Sequence, residues 1–230
     1  SDQEIQNNHK LKMRFFFAMA LMLIVIAFFT TSPENLFQGL VRINTTTCQL
    51  FTDFVATGGF GATLVNVALV LLFELMIIHF SNASITGPLL AAIMITAGFA
   101  FFGTNLFNTI PIVLGTALYS RLEKLPMRTF LLQAFMGTAI GPLVNYIGFG
   151  IDLELALSLP LAILAGLIIG MVTPPLSSSF LRFHQGYNLY NLGFTAGVIG
   201  LIAVAILRIN GVEIEPVSII DTQHRMQLII

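Results

Sequence analysis

The hardest constraint on this sequence is a succession of apolar stretches, several of them about as long as a bilayer core is thick, with prolines, glycines and asparagines set between and inside them. Phe15 to Thr31 is the first such run, directly behind the basic residues Lys10, Lys12 and Arg14. Gly58-Gly59-Phe60-Gly61 opens a second that reaches Phe80, and Gly87-Pro88 starts a third that ends near Gly103. Later runs cover Ile110 to Ser120, Thr129 to Phe149, Leu155 to Val172, and the segment from Gly186 to Arg208. A soluble domain carries about a quarter charged residues; this chain has 9% and a mean hydropathy of +0.90, so its apolar mass must face lipid. The expected fold is all-α, a polytopic transmembrane helical bundle of about seven hydrophobic segments that include half-length or broken helices.

The interruptions carry the finer expectations. Ser32-Pro33 should stop the first helix and leave a mixed loop to Gln49, and Cys48 to Thr57 is too short to cross, so it is re-entrant or interfacial. Asn108-Thr109-Ile110-Pro111 reads as a helix start, with Pro111 near the first turn, and the run to Ser120 spans about 16 Å, half a membrane. A half-helix starting inside the bilayer would aim free N–H groups and a positive dipole end at a solute. Gly141-Pro142 breaks the fifth region between Gln133 and Asn145, and Thr173-Pro174-Pro175 ends the sixth.

Charge sets a topology. An amino terminus in the cytoplasm puts Lys10 to Arg14, Arg121 to Arg128 and Arg182 inside and Glu34, Asp152 and Glu154 outside, with Arg42 and Arg208 as exceptions. The division is a cytoplasmic amino-terminal segment at 1–14, a transmembrane domain at 15–211 and a polar or mixed tail or linker at 212–230. The expected location is the cell membrane, a bacterial inner membrane, crossed several times.

Two helices carry polar residues within apolar surroundings. Asn188, Asn191 and Thr195 share one helical face, while Gly193, Gly197 and Gly200 lie nearly opposite and suit helix packing. The second span carries Gly59, Thr63, Asn66, Val70 and Glu74 in one sector. An acid at the depth of Glu74 costs a few kcal/mol unless protonated, paired or wetted, which makes Glu74 a candidate ion or proton site. Asp53 is either a helix cap or an ion ligand. Asn66, Glu74, Asn108, Asn188, Asn191 and Thr195 are thus the candidate substrate pathway, with Thr109 and Pro111 at the half-helix start. The plainer alternative is that the amides bond helices to one another.

His184-Gln185-Gly186-Tyr187-Asn188-Leu189-Tyr190-Asn191-Leu192-Gly193-Phe194-Thr195-Ala196-Gly197, with Thr173-Pro174-Pro175 upstream, resembles a family of bacterial multi-pass membrane proteins carrying a domain of unknown function of the 1576 type. The likeness runs from about Asn35 to Glu215. It implies longer members with a related second half, so that any pore formed between two halves would need a second chain or that other segment. A more distant similarity is to urea transporters, which place a polar, Pro-initiated half-helix before a Gly-Tyr-Asn stretch; Asn108 to Pro111 and Gly186-Tyr187-Asn188 follow that order. That similarity implies a conduit for a small neutral or weakly charged solute.

Three function classes follow. A channel or transporter for a small polar solute accounts for the short helices, the amides and Glu74 together. The alternative is a membrane assembly or scaffold subunit whose polar helices bind a partner chain. An enzyme is not expected, because the chain has no H-E-x-x-H, no G-x-S-x-G and no intramembrane aspartate pair. No catalytic residue, metal site or cofactor is assigned, and Cys48 alone makes no internal disulfide. The partners expected are the bilayer, the solute, and a second copy or a related second half; a net charge of -1 gives no nucleic-acid footprint.

Overall fold

A computed structural model describes residues 2–48 and 52–212, and every regular element among them is helical. α1 (Asp2–Thr30) carries its helix back through the polar residues before Arg14, so that segment continues into the first span as one helix. It runs antiparallel to α4 (Phe60–Phe80): the Lys12 ammonium donates to the Ile85 carbonyl at 2.8 Å beyond the end of α4, while Thr31 packs on Gly61 at its start. These two contacts define a near end, at Lys12 and Ile85, and a far end.

The far end is covered by a region read from sequence as loop. Ser32 both stops α1 and caps α2 (Pro33–Thr45), which has Pro33 at its first turn and buries Leu36, Gly39 and Ile43 along one stripe. Of the short stretch from Cys48 to Thr57, residues 49–51 lie outside the described residues, and α3 (Phe54–Gly58) forms a single turn capped by Asp53. The chain then reverses at Gly59, whose φ of +88° lies in the region a side chain disfavours.

α5 (Gly87–Phe99) spans 13 residues, about 20 Å, and does not cross. The chain turns at residues 100–105 and α6 (Leu106–Leu122) returns to the near end, where Arg128 and Leu131 share a pocket with Asn82, Thr86 and Leu89. The third and fourth expected segments therefore form one helical hairpin. α7 (Leu131–Gly137), a 3-10 turn at Thr138–Ile140 and α8 (Gly141–Phe149) make a broken path to the far end, where Gly150 meets Thr47. α9 (Leu155–Phe180) returns, and α10 (Asn188–Ile209) goes back again.

Four helical stretches are long and apolar enough to cross a membrane: Asn8–Thr30, Phe60–Phe80, Leu155–His184 and Asn188–Ile209. The seven expected segments thus resolve into these four, the hairpin and the broken path. Phe17, Leu21 and Phe28 on α1, like Leu201, Ile202 and Ile206 on α10, are exposed, as a lipid-facing surface requires. Lys12, Arg128 and Arg182 gather at the near end, and Asp152 and Glu154 at the far end.

α9 does not stop at Thr173-Pro174-Pro175. Pro174 has no N–H for the Gly170 carbonyl, but the Thr116 hydroxyl of α6 donates to that oxygen at 3.0 Å. Ser177 and Ser178 hydroxyls likewise donate to the Pro174 carbonyl, at 2.9 and 3.0 Å. The exchange is possible because α6 and α9 touch backbone to backbone: a Cβ on Gly170 would strike the Ile112 carbonyl, and one on Gly115 the Leu167 carbonyl.

Gly170→Ala must push α6 from α9, and thermal unfolding in detergent should show a loss of about 1–3 kcal/mol. Gly193→Ala, whose new methyl meets nothing within 4 Å, should be neutral or slightly stabilising in the same assay.

Candidate functional site

The turn between α5 and α6 leaves carbonyls that no helix can fill, and asparagine side chains fill them. Asn66 of α4 donates to the carbonyls of Ala100 at 2.8 Å and Thr104 at 2.9 Å. Asn108 donates to the Gly103 carbonyl and to Asn145 Oδ1, both at 2.8 Å. Asn105 donates to the Ile43 carbonyl at 3.1 Å and to Asn145 Oδ1 at 3.3 Å. Asn145 in turn donates to the carbonyls of Asn44 at 3.1 Å and Thr46 at 3.0 Å, where α2 ends. Four elements from separate parts of the chain are fastened at one buried point. Gly141 makes room for it, since a Cβ there would press on the Asn108 side chain.

This network also moves the predicted helix start. α6 begins at Leu106 with Asn105 as its cap: Asn105 Oδ1 accepts from the Asn108 N–H, and Asn108 Oδ1 accepts from the Asn105 N–H, each at 3.1 Å. Pro111 therefore lies inside the helix, and α6 is longer than half a membrane. The N–H of Phe107 goes to Asn44 Oδ1 at 3.3 Å and that of Thr109 to the Asn105 carbonyl at 3.0 Å. These donors serve the fold, so the expected presentation of the Asn108 to Pro111 end to a solute does not occur. Asn44 and Asn105 are not among the residues expected from sequence; the Asn105, Asn108 spacing of a capping box was the available signal.

Further along α4 the polar stripe faces inward, with Thr63, Asn66 and Glu74 all buried. Glu74 is 1% exposed, and neither carboxylate oxygen has a hydrogen-bond partner. Thr96 of α5 is the polar side chain beside it. Its hydroxyl is turned back to the carbonyls of Ala92 and Ile93, each at 3.0 Å. Towards the near end, Asn82, Ser84, Thr86 and Arg128 help to line a mixed pocket of about 440 Å³.

The predicted face on α10 divides. Asn191 is buried and donates to the Ser177 carbonyl at 2.7 Å, and the Thr195 hydroxyl donates to the Asn191 carbonyl at 2.8 Å. Asn188, in the first turn, is exposed at the near end. Gly193, Gly197 and Gly200 meet nothing within 4 Å; glycines that do let helices pack closely include Gly39, Gly61, Gly115, Gly166 and Gly170. Gly197 and Gly200 line an apolar cleft of about 600 Å³ shared with Phe99, Phe102, Thr104 and Pro142. Asp53 accepts from the N–H groups of Val55 at 2.8 Å and Ala56 at 3.2 Å, which is a helix cap. Among the described residues no three His, Cys, Asp or Glu side chains group as a metal site requires.

A family model described as "Protein of unknown function (DUF1576)" matches residues 32–209, and the chain belongs to that family. No curated protein and no solved structure matches it.

Asn145→Leu removes four hydrogen bonds at once and strands two backbone carbonyls. Its unfolding free energy in detergent should fall by about 1–3 kcal/mol for each group left without a partner. Asn188→Leu, at an exposed position, should leave the unfolding transition where it is.

Proposed function

We propose that this chain is a membrane transport unit that moves a small polar solute in step with a proton, and that Glu74 takes up and releases that proton. The observation that carries this reading is Glu74 itself, an acid 1% exposed on a membrane-crossing helix with both oxygens free of partners. Acids in such positions are costly, and an acid kept only for structure would hold an amide, an ion or a cap. The fold's structural needs are met by asparagine, threonine and serine, which leaves Glu74 over.

Its position supports the same reading. α5 starts at the mixed near-end pocket, which Leu89 lines, and passes Thr96 about 10 Å further in. Within another turn it reaches Phe99 and the apolar cleft. Glu74 stands beside this line, between a polar mouth and the interior. Asn66 and Asn108 act in this account as the walls that hold the hairpin open-ended, rather than as ligands of the solute. With the basic residues at the near end, that end is assigned to the cytoplasm of a bacterial cell. The scaffold reading has less support, because Asn66, Asn108 and Asn191 spend their amides inside the chain.

The test is flux into liposomes carrying the purified protein, across a panel of small neutral and weakly charged solutes, with and without a pH gradient. Wild type should move one solute class faster under the gradient, and Glu74→Gln, close in shape, should remove the gradient dependence. Gradient-dependent flux that survives Glu74→Gln unchanged would remove Glu74 from the mechanism.

A further inference from the structure

The cleft beside α10 lies past Thr96 along α5, and its shape asks for an occupant. We infer that it is a lateral binding site for the hydrocarbon chain of a membrane lipid. Depth is the first reason. The α10 residues that line it run from Ala196 to Val204, the central part of a helix that extends from Asn188 to Ile209, so the cleft lies within the hydrocarbon layer.

The opening is the second reason. Leu201 lines the cleft and is also 73% exposed, and Ile202 beside it and Phe194 about two turns back are exposed as well. The mouth therefore faces the bilayer. Its walls include Phe99, Phe102, Ile140 and Leu143, which offer a water molecule nothing to bond. A void of about 600 Å³ is within the range of ligand pockets, and left empty it would forfeit the dispersion contacts of its whole lining.

The glycines decide between a chain and a helix. Where this fold brings two helices together, a Cβ on Gly115, Gly166 or Gly170 would strike the opposing helix. Gly197 and Gly200 have nothing within 4 Å, and across the cleft stand aromatic rings and Pro142 rather than a second bare backbone. Here the missing side chains enlarge a slot instead of admitting a helix. A flexible acyl chain fills such a slot; a helix of a second copy would meet the rings of Phe99 and Phe102.

The experiment uses the full chain in phosphatidylcholine vesicles doped with a phosphatidylcholine that carries a diazirine midway along one acyl chain, with adducts mapped after illumination. Wild type should show adducts on residues 99–104, 139–146 and 196–204, as well as on the outer face of α1 at Phe17, Leu21 and Phe28. The double substitution Gly197→Leu, Gly200→Leu should lose adducts on 99–104 and 139–146 and keep those on α1, which also shows that it has folded. Thr104→Val should keep them all, because a hydrocarbon makes no demand on that hydroxyl. Two outcomes would overturn the inference. One is wild-type labelling of these walls no higher than that of the core residues Val70 and Leu71. The other is a Gly197→Cys variant in a Cys48→Ser background that cross-links to itself in every molecule, which would place a second copy over the cleft.

Discussion

Inside a bilayer a backbone carbonyl without a partner has no water to turn to, and this fold is arranged around one place where the helix stops at depth. At residues 100–105 the hairpin turns, and Asn66 and Asn108 supply the missing donors there, while Asn105 and Asn145 supply those at the end of α2. Hydrogen bonds between membrane helices average only about 0.6 kcal/mol, because side chains freed in lipid find other partners. The carbonyls at this turn and at the end of α2 have fewer alternatives. Their desolvation cost, about 1–3 kcal/mol each when unpaired, is the larger effect and sets the scale on which the network matters. The reward is geometric: α2, α4, α6 and α8 are fixed at a common point, and the hairpin can end inside the protein without fraying.

The same rule operates in α9, where Pro174 withdraws a donor and Thr116 from the neighbouring helix replaces it. That replacement depends on Gly170 and Gly115, which let α6 come close enough. Against this background the polar atoms left over are informative. Among the described residues the buried side-chain atoms without partners are Asn66 Oδ1, both oxygens of Glu74, Thr104 Oγ1, Gln133 Oε1 and Asn191 Oδ1. All are oxygens. The side-chain amide nitrogens of Asn66 and Asn191 are engaged, and what remains, apart from the Thr104 hydroxyl that can also donate, are acceptors, the complement of a proton or of a solute that donates. Glu74 is the strongest of these acceptors, which is why the transport reading rests on it.

The class of the protein was legible because hydrophobic length and low charge are properties of composition. The buried stripe of Thr63, Asn66 and Glu74 was legible from helical spacing, whereas Asp53 was left between cap and ion ligand until the fold placed it at the start of α3. The hairpin was half legible: Ile110 to Ser120 was too short to cross, yet α5 looked like a span because apolar residues continue through the turn to Phe102. The helix start was misplaced because Pro111 drew the reading, while the reciprocal pair Asn105 and Asn108 sets the cap. Thr173-Pro174-Pro175 looked like a stop because the hydroxyl that rescues the helix lies 58 residues earlier, at Thr116, and only the fold brings them together. Gly193 and Gly197 drew attention by their spacing, but Gly166 and Gly170 repeat that spacing on the helix that does pack. Spacing alone carries no information about which face finds a neighbour.

The most direct test of this account is the side of the membrane on which the two ends of the hairpin emerge. In a Cys48→Ser background, Ser84→Cys, Lys124→Cys and Asp152→Cys would each be reacted with a membrane-impermeant thiol reagent in vesicles of uniform orientation. The account predicts that positions 84 and 124 react from one side and position 152 from the other. Reaction of 84 and 124 from opposite sides would mean that the hairpin crosses the membrane. The buried turn, its asparagine network and the placement of Glu74 beside it would then have to be abandoned.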